Sequence, residues 1–534
     1  MPQTPTFTDV LIIGAGPTGL SLALELSVQD VSFRIIDKLP APSDKSRALA
    51  VQCRTLELLN RHPVISQEML DNGVQGPGVN IFCNKRKLVT GTFDDLGFDD
   101  TKFPLPLWIS QADTETAMTR QLEAYGCIIE RGVSAEDIQQ TDEYATATLV
   151  RGTEREEIRA KYIVGCDGAH SVVRKSTNLT FEGAKYPQQF ILCDAKVDGP
   201  VDRERISLFL ASRVMVIFPL KDGVIRVVGE RSARSTRTDD PDAQEIKDFI
   251  EEMAGGKWQV TDPIWLTNFH WNCRGVNDYR DKRLLVAGDA AHIHSPAGGQ
   301  GMNTGIQDSI NLGWKLAAVL RGEEDESFLN TYQEERHPVG EHLLHGTDSM
   351  FNAVASQNWL FTTIRNFLMP WVVPWVWTNK SRRRNMFNFI SQRGIKYRRS
   401  SIVGTATGFE GPVKGGWRAP DGELADERGE KGRWFLDLTS NKRSTVVLFS
   451  GMTGDEEEIK QAEEKILADK RYTDRGVVKI YGGQTIGTGG FRDKDGILHQ
   501  RYGFEKGAGL LVVRPDGYIG FIGPAESVEE FLSI

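Results

Sequence analysis

The stretch DVLIIGAGPTGLSLALELSVQDVSFRIIDK, residues 9–38, constrains the fold more than any other part of this 534-residue chain. Val10 to Ile13 form an apolar run of strand type, Gly14-x-Gly16-x-x-Gly19 follows, Leu20 to Leu26 repeat at helical spacing, and a second apolar run ends in Asp37. Gly14 permits a tight turn, Gly16 lets the backbone approach a pyrophosphate, and Gly19 lets the helix pack close on the strand. The helix N-terminus then presents free N–H groups and a partial positive charge to phosphates. Asp37, 18 residues after Gly19, stands where an acid binds a ribose 2′-hydroxyl, and Lys38 adjoins it. The pattern predicts dinucleotide binding, with FAD or NAD favoured over NADP by the acid. The competing reading is a glycine-rich turn in an unrelated parallel sheet.

At roughly 150 residues per domain the chain has room for two to four domains. A formal net charge of -9 argues against nucleic acid or an anionic membrane as the main partner. The six cysteines (Cys53, Cys83, Cys127, Cys166, Cys193, Cys273) make no CxxC pair and no His-spaced cluster, so neither a disulfide framework nor a metal site is expected. A reduced, cytoplasmic setting fits, and the N-terminus shows no basic region leading into an apolar run of the secretory kind. One segment, WLFTTIRNFLMPWVVPWVWTNKSRRR (359–384), is aromatic and ends in a basic cluster. Arg365, Pro370 and Pro374 interrupt it before it reaches the ~20 apolar residues of a span. The expectation is helices buried between domains, at a subunit contact, rather than membrane contact.

Two further motifs follow in order. KYIVGCDGAHSVVRK places Asp167-Gly168 after a strand, and LLVAGDAAHIHSPAGGQGMNTGIQDSINLGWKL places Gly288-Asp289 after another, then Pro296, Gly298-Gly299-Gln300-Gly301 and Asn303. With the first glycine motif, these resemble the three fingerprints of the class A flavoprotein monooxygenases, the para-hydroxybenzoate hydroxylase type, and most closely its phenol hydroxylase branch. The resemblance covers residues 9 to about 340 and resumes near the C-terminus. It implies an α/β fold: a Rossmann-type FAD-binding domain (1–75, 105–185 and 275–350), an inserted β-sheet substrate domain (76–104 and 186–274), a helical connector (351–405) and a thioredoxin-like α/β domain (406–534). It also implies tightly bound, non-covalent FAD, NADPH or NADH as a transient reductant without its own Rossmann domain, O2 as co-substrate, and a homodimer.

By the same resemblance, Asp289 hydrogen-bonds the ribityl chain and the backbone from Pro296 to Asn303 runs against the isoalloxazine ring, with Gln300 and Met302 in that run. Glycines at 298, 299 and 301 keep Cβ atoms out of the way. A helix starting near Met302 aims its positive end at the N1–C2=O edge, where reduced flavin carries negative charge. Arg47 in KSRALAVQCRTLELL matches the family arginine near the pyrophosphate, Gln111 in ISQADTE the ribityl glutamine, and Asp167 the acid near the pyrophosphate and the nicotinamide site. His292 and His294 stay open between structural and catalytic roles.

Residues 186–274 carry β-rich runs such as RISLFLASRVMVIFPL and GVIRVVGE. Here the chain departs from the phenol hydroxylases, with Leu49, Leu220 and Val228 where that branch has an aspartate, an arginine and a tyrosine. Simple phenol therefore becomes doubtful as substrate, and a larger, more apolar ring is expected. Period-2 geometry puts Arg226 and Glu230 on the face of Val228, making Arg226 a candidate cation for a phenolate, with His270 and Arg213 weaker candidates and Pro296 counted with the catalytic group. In the C-terminal unit RSTVVLFSG, DEEEIKQAEEKILADK, GVVKIYGG and GLLVVRPDGYIGFIG read strand, helix, strand and hairpin. No cysteine follows Cys273 and SGMTG stands where a CxxC would be, so dithiol chemistry is ruled out and a structural or dimer-supporting module is expected. The expected activity is NAD(P)H-consuming hydroxylation of a phenolic or polycyclic aromatic compound through a C4a-hydroperoxyflavin. Rival readings are Baeyer–Villiger insertion, epoxidation or rearrangement with the same cofactor, hydride transfer without oxygen insertion, and a flavin-binding protein that is no oxygenase.

Overall fold

The computed structural model describes residues 6–43, 48–76, 78–232, 235–294, 299–355, 359–426, 431–452, 456–473, 476–483 and 490–533; Arg47, Pro296 and Gly298 lie outside these. The chain begins with strand β1 (Thr6–Ile13), helix α1 (Pro17–Val28) and β2 (Phe33–Asp37), then the short β3 (Ala50–Val51) and α2 (Cys53–Leu59). A hairpin, β4 (Gly78–Cys83) and β5 (Arg86–Gly91), precedes β6 (Leu107–Trp108), α3 (Gln111–Ala124) and β7 (Glu154–Gly165). The middle of the chain supplies β8 (Phe181–Asp198), β9 (Arg205–Leu210), β10 (Val214–Pro219), β11 (Val224–Glu230), α4 (Ala243–Ala254) and β12 (Gln259–Val276). Then come β13 (Leu284–Val286), β14 (His292–Ile293) and the helices α5 (Gly301–Leu320), α6 (Asn330–Ala355), α7 (Trp359–Trp377) and α8 (Lys380–Ile390). The C-terminal part holds β15 (Thr445–Phe449), α9 (Glu456–Ala468), β16 (Val477–Gly482), β17 (Gly509–Val513), β18 (Ile519–Pro524) and α10 (Val528–Leu532).

The cofactor sheet is parallel at its centre, in the order β13, β7, β1, β2. Its strands are buried on both faces, which is why Val10 to Ile13 and Ile163 to Val164 read as unbroken apolar runs. Small residues let α1 cross α5 closely: a Cβ on Gly305 would stand 2.4 Å from Thr18 Oγ1, and one on Gly313 2.6 Å from Glu25 Cβ. Ser309 Oγ donates to the Thr18 carbonyl across the same crossing.

A second sheet, eight-stranded among the described residues, runs β14-β12-β8-β11-β10-β9-β4-β5 and is antiparallel except at β9–β4. One face is closed by α4, whose Ile246, Phe249, Ile250 and Met253 pack on Ile191, Cys193, Met215, Ile217, Ile225 and Val227. The other face carries Phe190, Leu192, Val216, Phe218 and Val228 by alternation.

In the C-terminal part β15 and β16 are parallel and joined through α9, while β17 pairs antiparallel with both β15 and β18. Two buried ion networks dock this part onto the rest. Arg418 grips Glu57 of α2 (2.6 Å) and Asp100 (2.7 Å). Arg514, at the β17–β18 turn, grips Glu335 of α6 (2.6 Å), which also accepts from Lys315 Nζ (2.8 Å) and Ser400 Oγ (2.6 Å).

The aromatic segment 359–384 departs from the expectation of burial between domains. Helix α7 packs one side on the β4–β5 hairpin and leaves Phe367 and Trp371 each 72% exposed. The two most polar side chains of this helix, Arg365 and Asn366, turn inward to the Ala211 carbonyl, so the side left outward is the apolar one.

Candidate active site

The three glycine-containing motifs meet at the C-terminal ends of the parallel strands, the position where open α/β sheets bind ligands. Gly14 takes φ +104°, and a Cβ there would lie 2.4 Å from the Cys166 carbonyl oxygen and 2.8 Å from Asp167 Cα, so the first turn abuts the second motif. The third motif joins through Gly288, where a Cβ would be 2.5 Å from Thr18 Oγ1, and through Arg174, which donates to the carbonyls of Ala169 and Ala290 (both 2.8 Å).

Around the first turn, Asp37 Oδ2 accepts from Ala15 N–H (2.7 Å) and Oδ1 from Leu39 N–H (2.8 Å), which ties the end of β2 to the glycine loop. Lys38 points to solvent. The α1 N-terminus begins at Gly16, with Pro17 in the first helical turn and no side-chain cap, so its amides remain available. A Cβ on Gly16 would meet nothing within 4 Å. Asp167 Oδ2 caps Val172 N–H (2.6 Å) while its buried Oδ1 has no hydrogen-bond partner among the described residues, and burial raises the carboxyl above its ordinary range.

The second cradle is the turn into α5. Gly299 has φ +63°, and Cβ atoms on Gly299 and Gly301 would find their nearest neighbours at 3.7 and 3.8 Å. Asn303 staples this turn: its Nδ2 donates to the carbonyls of Gly299 and Ala50 (both 2.9 Å), and its Oδ1 accepts from Gln52 N–H (2.8 Å). The Gln300 side chain turns away, donating to the Phe389 carbonyl at the end of α8 (2.9 Å). Met302 packs against the main core. Asp289 is exposed, and Gln111 opens α3 with its Nε2 on Glu115 Oε1 (2.8 Å). A carboxylate oxygen of Asp167 without a partner among the described residues, uncapped amides at α1, an open Cβ direction at Gly16 and uncrowded ones at Gly299 and Gly301 fit a long ligand with a pyrophosphate at one end and a flat ring at the other, as FAD has.

Residues 7–347 match the family described as FAD binding domain. The chain belongs to that family. It is 34% identical over 353 residues, 65% of this chain and 72% of the relative, to a rifampicin monooxygenase from Streptomyces venezuelae. It is 28% identical over 517 residues, 96% of this chain and 93% of the relative, to a pentachlorophenol 4-monooxygenase from Sphingobium chlorophenolicum. The solved anhydrotetracycline hydroxylase of Streptomyces rimosus superposes with a TM-score of 0.73 at 28% identity, covering 99% of this chain and 98% of that one. The protein is a flavoprotein monooxygenase that uses FAD.

In this monooxygenase the inner face of the second sheet reaches the Gly299 turn through β3 and β6. Asn303 holds Ala50, Ala50 pairs with Trp108, and the Trp108 ring lies 5.8 Å from that of Phe218. Phe190 stacks on Trp271 (3.8 Å), with Phe269 beside them. Val228, on the same face as Leu192 and Val216, keeps this wall apolar.

Two of the expected catalytic side chains are placed differently from the sequence reading. Arg226 does share the face of Val228, but Asp194 engages one edge of its guanidinium bidentately (Nε–Oδ1 and Nη2–Oδ2, each 2.7 Å), and it is 3% exposed. Its charge is thus already matched within the protein. His270 is exposed and alternates with Phe269 and Trp271, so the pleat sends it away from the aromatic wall.

The sequence reading missed Asp308 and Arg336. His292 Nε2 lies 2.6 Å from Asp308 Oδ2, His292 Nδ1 lies 2.8 Å from His294 Nε2, and Arg336 Nε donates to Asp308 Oδ1 (2.7 Å). Burial alone would raise the Asp308 carboxyl, but Arg336 and His292 hold it below the ordinary range. His294, beside Gly301, is pushed down to about 3 by burial and by His292. The signal was present: Asp308 and Lys315 are the only charged residues of α5, and a charge in a buried helix requires a partner.

Proposed function

We propose that this flavoprotein monooxygenase hydroxylates a phenolic or polycyclic aromatic ring, with reducing equivalents from transiently bound NADH or NADPH. Bound FAD supplies the activation of dioxygen; the chain supplies binding, orientation and exclusion of water. The α1 amides with Gly14, Gly16 and Gly19 take the pyrophosphate, Asp37 and Lys38 the adenosine end, and Gln111 and Asp289 the ribityl region. Asp167 contributes its unpartnered oxygen near the pyrophosphate. The Gly299–Asn303 turn, with the positive end of α5, receives the ring edge that becomes negative on reduction. Arg47, Pro296 and Gly298 keep the roles that the family resemblance implies.

The observation that carries the aromatic reading is the wall of Phe190, Leu192, Phe218, Val228 and Trp108 opposite that turn, in which the Arg226–Asp194 pair is a polar anchor. Relatives named for pentachlorophenol and anhydrotetracycline agree with a flat, hydroxylated ring. His294, pushed down to about 3, is poorly matched to phenol deprotonation near neutral pH. His292, held between Asp308 and His294, is read as a positioning group for the turn together with His294, and Arg226 orients the substrate hydroxyl through Asp194.

Residues 406–534 are read as a thioredoxin-like module without redox thiols, supported by the parallel β15–α9–β16 unit beside the β17–β18 hairpin. The domain boundaries given above stand as part of this proposal. The experiment is turnover under oxygen-18 gas with phenols, naphthols and anthraquinones, preceded by anaerobic flavin reduction with NADH and NADPH. One label atom in a ring-hydroxylated product, and reduction accelerated by the same compound class, is the expected result. A ring-expanded lactone would move the reading to Baeyer–Villiger chemistry, and unlabelled product to hydride transfer.

A further inference from the structure

Residues 349–409 contain nine lysines and arginines and not one acidic residue, in a chain whose net charge is -9. Within this segment α7 exposes Ile364, Phe367, Leu368, Trp371, Val372 and Trp375, spaced i, i+3, i+4, i+7, i+8 and i+11, as a continuous apolar stripe. Three of the six are aromatic, and exposed apolar stripes of this length mark binding surfaces. The opposite side of α7 is anchored: Trp377 fills the space beside Gly91, and Arg365 donates to the Ala211 carbonyl. The helix therefore lies flat along the protein, and no helix of the described residues is long and apolar enough to cross a membrane.

Basic groups rim the stripe on both sides. The β4–β5 turn carries the exposed Lys85, Arg86 and Lys87, and a groove joins Asn84 and Arg86 to Asn366, Phe367 and Trp371 of α7. At the other end, α8 carries the exposed Lys380 and Arg384, and Arg382 covers the Trp375 ring (3.3 Å). Pairing with a second copy would set one basic rim against another, whereas an anionic interface complements both rims. Tryptophan and phenylalanine also settle at the headgroup level of a bilayer, where an in-plane helix buries one apolar face.

We propose that the exposed face of α7, rimmed by Lys85–Lys87 and by Lys380, Arg382 and Arg384, is a docking surface for an anionic phospholipid bilayer. The helix lies in the plane of the interface beside the edge of the substrate sheet, a place from which an apolar compound dissolved in the membrane can be taken up. This surface is independent of the oxygenase reading and can fail or hold separately from it.

The test uses the full-length, FAD-loaded protein and vesicles of phosphatidylcholine with or without phosphatidylserine. Co-sedimentation with the phosphatidylserine vesicles, weakening as salt rises, and quenching of tryptophan emission by brominated lipid are expected. A Lys85→Glu, Lys380→Glu, Arg384→Glu variant should bind about fivefold more weakly for each charge removed from the surface. A Trp371→Ser, Trp375→Ser variant should lose at least about tenfold in partitioning, with its melting midpoint and activity on water-dissolved substrate unchanged. Protein left in the supernatant with anionic vesicles overturns the proposal, as does unchanged binding of the serine variant. A concentration-dependent dimer that the serine variant abolishes, without vesicle binding, assigns the face to a second copy instead.

Discussion

The two cradles use glycine for different reasons. At the first turn, Gly14 and Gly19 are demanded by the protein itself: their Cβ atoms would lie 2.4 Å from the Cys166 carbonyl oxygen and 1.9 Å from the Gly14 oxygen. At the second, Cβ atoms on Gly299 and Gly301 would sit in ordinary contact with their nearest described neighbours at 3.7 and 3.8 Å, and among the described residues one on Gly16 of the first turn would meet nothing within 4 Å. A glycine crowded by its own backbone is required by the fold; an uncrowded one leaves room for the cofactor role proposed for it. Among the acids, Asp37 is tied to two backbone amides and Asp308 to His292 and Arg336.

The contrast predicts that Gly19→Ala abolishes folding, since backbone must move to admit the methyl group, at a cost of about 3 kcal/mol or more. A thermal melt of the flavin-free variant like that of the parent would show the crowding to be unimportant. Next in size is Asp308→Asn, which leaves the Arg336 guanidinium buried without its counter-charge. A loss of about 3–5 kcal/mol in urea unfolding is expected, and a loss below ~1 kcal/mol would mean that its other acceptors, the Tyr397 hydroxyl (3.1 Å) and the Thr304 carbonyl (3.2 Å), suffice for Arg336.

Glu57 tests the docking of the C-terminal part through pH. Burial alone would raise its carboxyl, but Arg418, then Arg54 and Arg393, bring it from an ordinary 4.5 to about 2. A depressed acid stabilises the fold fully above its unfolded value, and that contribution is lost as pH falls through the folded value. Stability should therefore decline between pH 4.5 and about 2. Glu57→Gln should be less stable at pH 7 and show a flatter decline over that window, followed by circular dichroism. Identical pH profiles would place the acid-sensitive docking elsewhere, for example at Glu335.

The smallest effects on stability should come at the ligand-facing positions. Gly16→Ala and Gly301→Ala should each shift the unfolding free energy of the flavin-free protein by less than about 1 kcal/mol. FAD affinity should nevertheless fall by about tenfold or more, one lost interaction of ~1.4 kcal/mol at each close approach, as read by flavin fluorescence titration. Variants that bind FAD like the parent would remove the distinction between the cradles.

Much of this was legible in the residues. The βαβ unit at 9–38, the strands carrying Asp167 and Asp289, the start of α5 beside Met302 and the strand–helix–strand order of the C-terminal part follow from local patterns of period 2 and 3.6 and from glycine spacing. Those patterns determine element type and which side chains share a face. They do not determine which element lies opposite, and that is where the sequence reading departed from the structure. Arg226 was placed on the correct face without the Asp194 that matches its charge, and His270 was considered without the pleat that turns it outward. The aromatic run at 359–377 was expected to be buried between domains, at a subunit contact; its most polar residues, Arg365 and Asn366, turn inward to the Ala211 carbonyl and so do not mark the exposed side. Only the tertiary structure, by packing α7 on the β4–β5 hairpin and on α8 and by bringing residues 292, 308 and 336 within hydrogen-bond reach, decided which groups are satisfied internally and which face outward. Such pairings depend on contacts between residues distant in the chain, which no local period encodes.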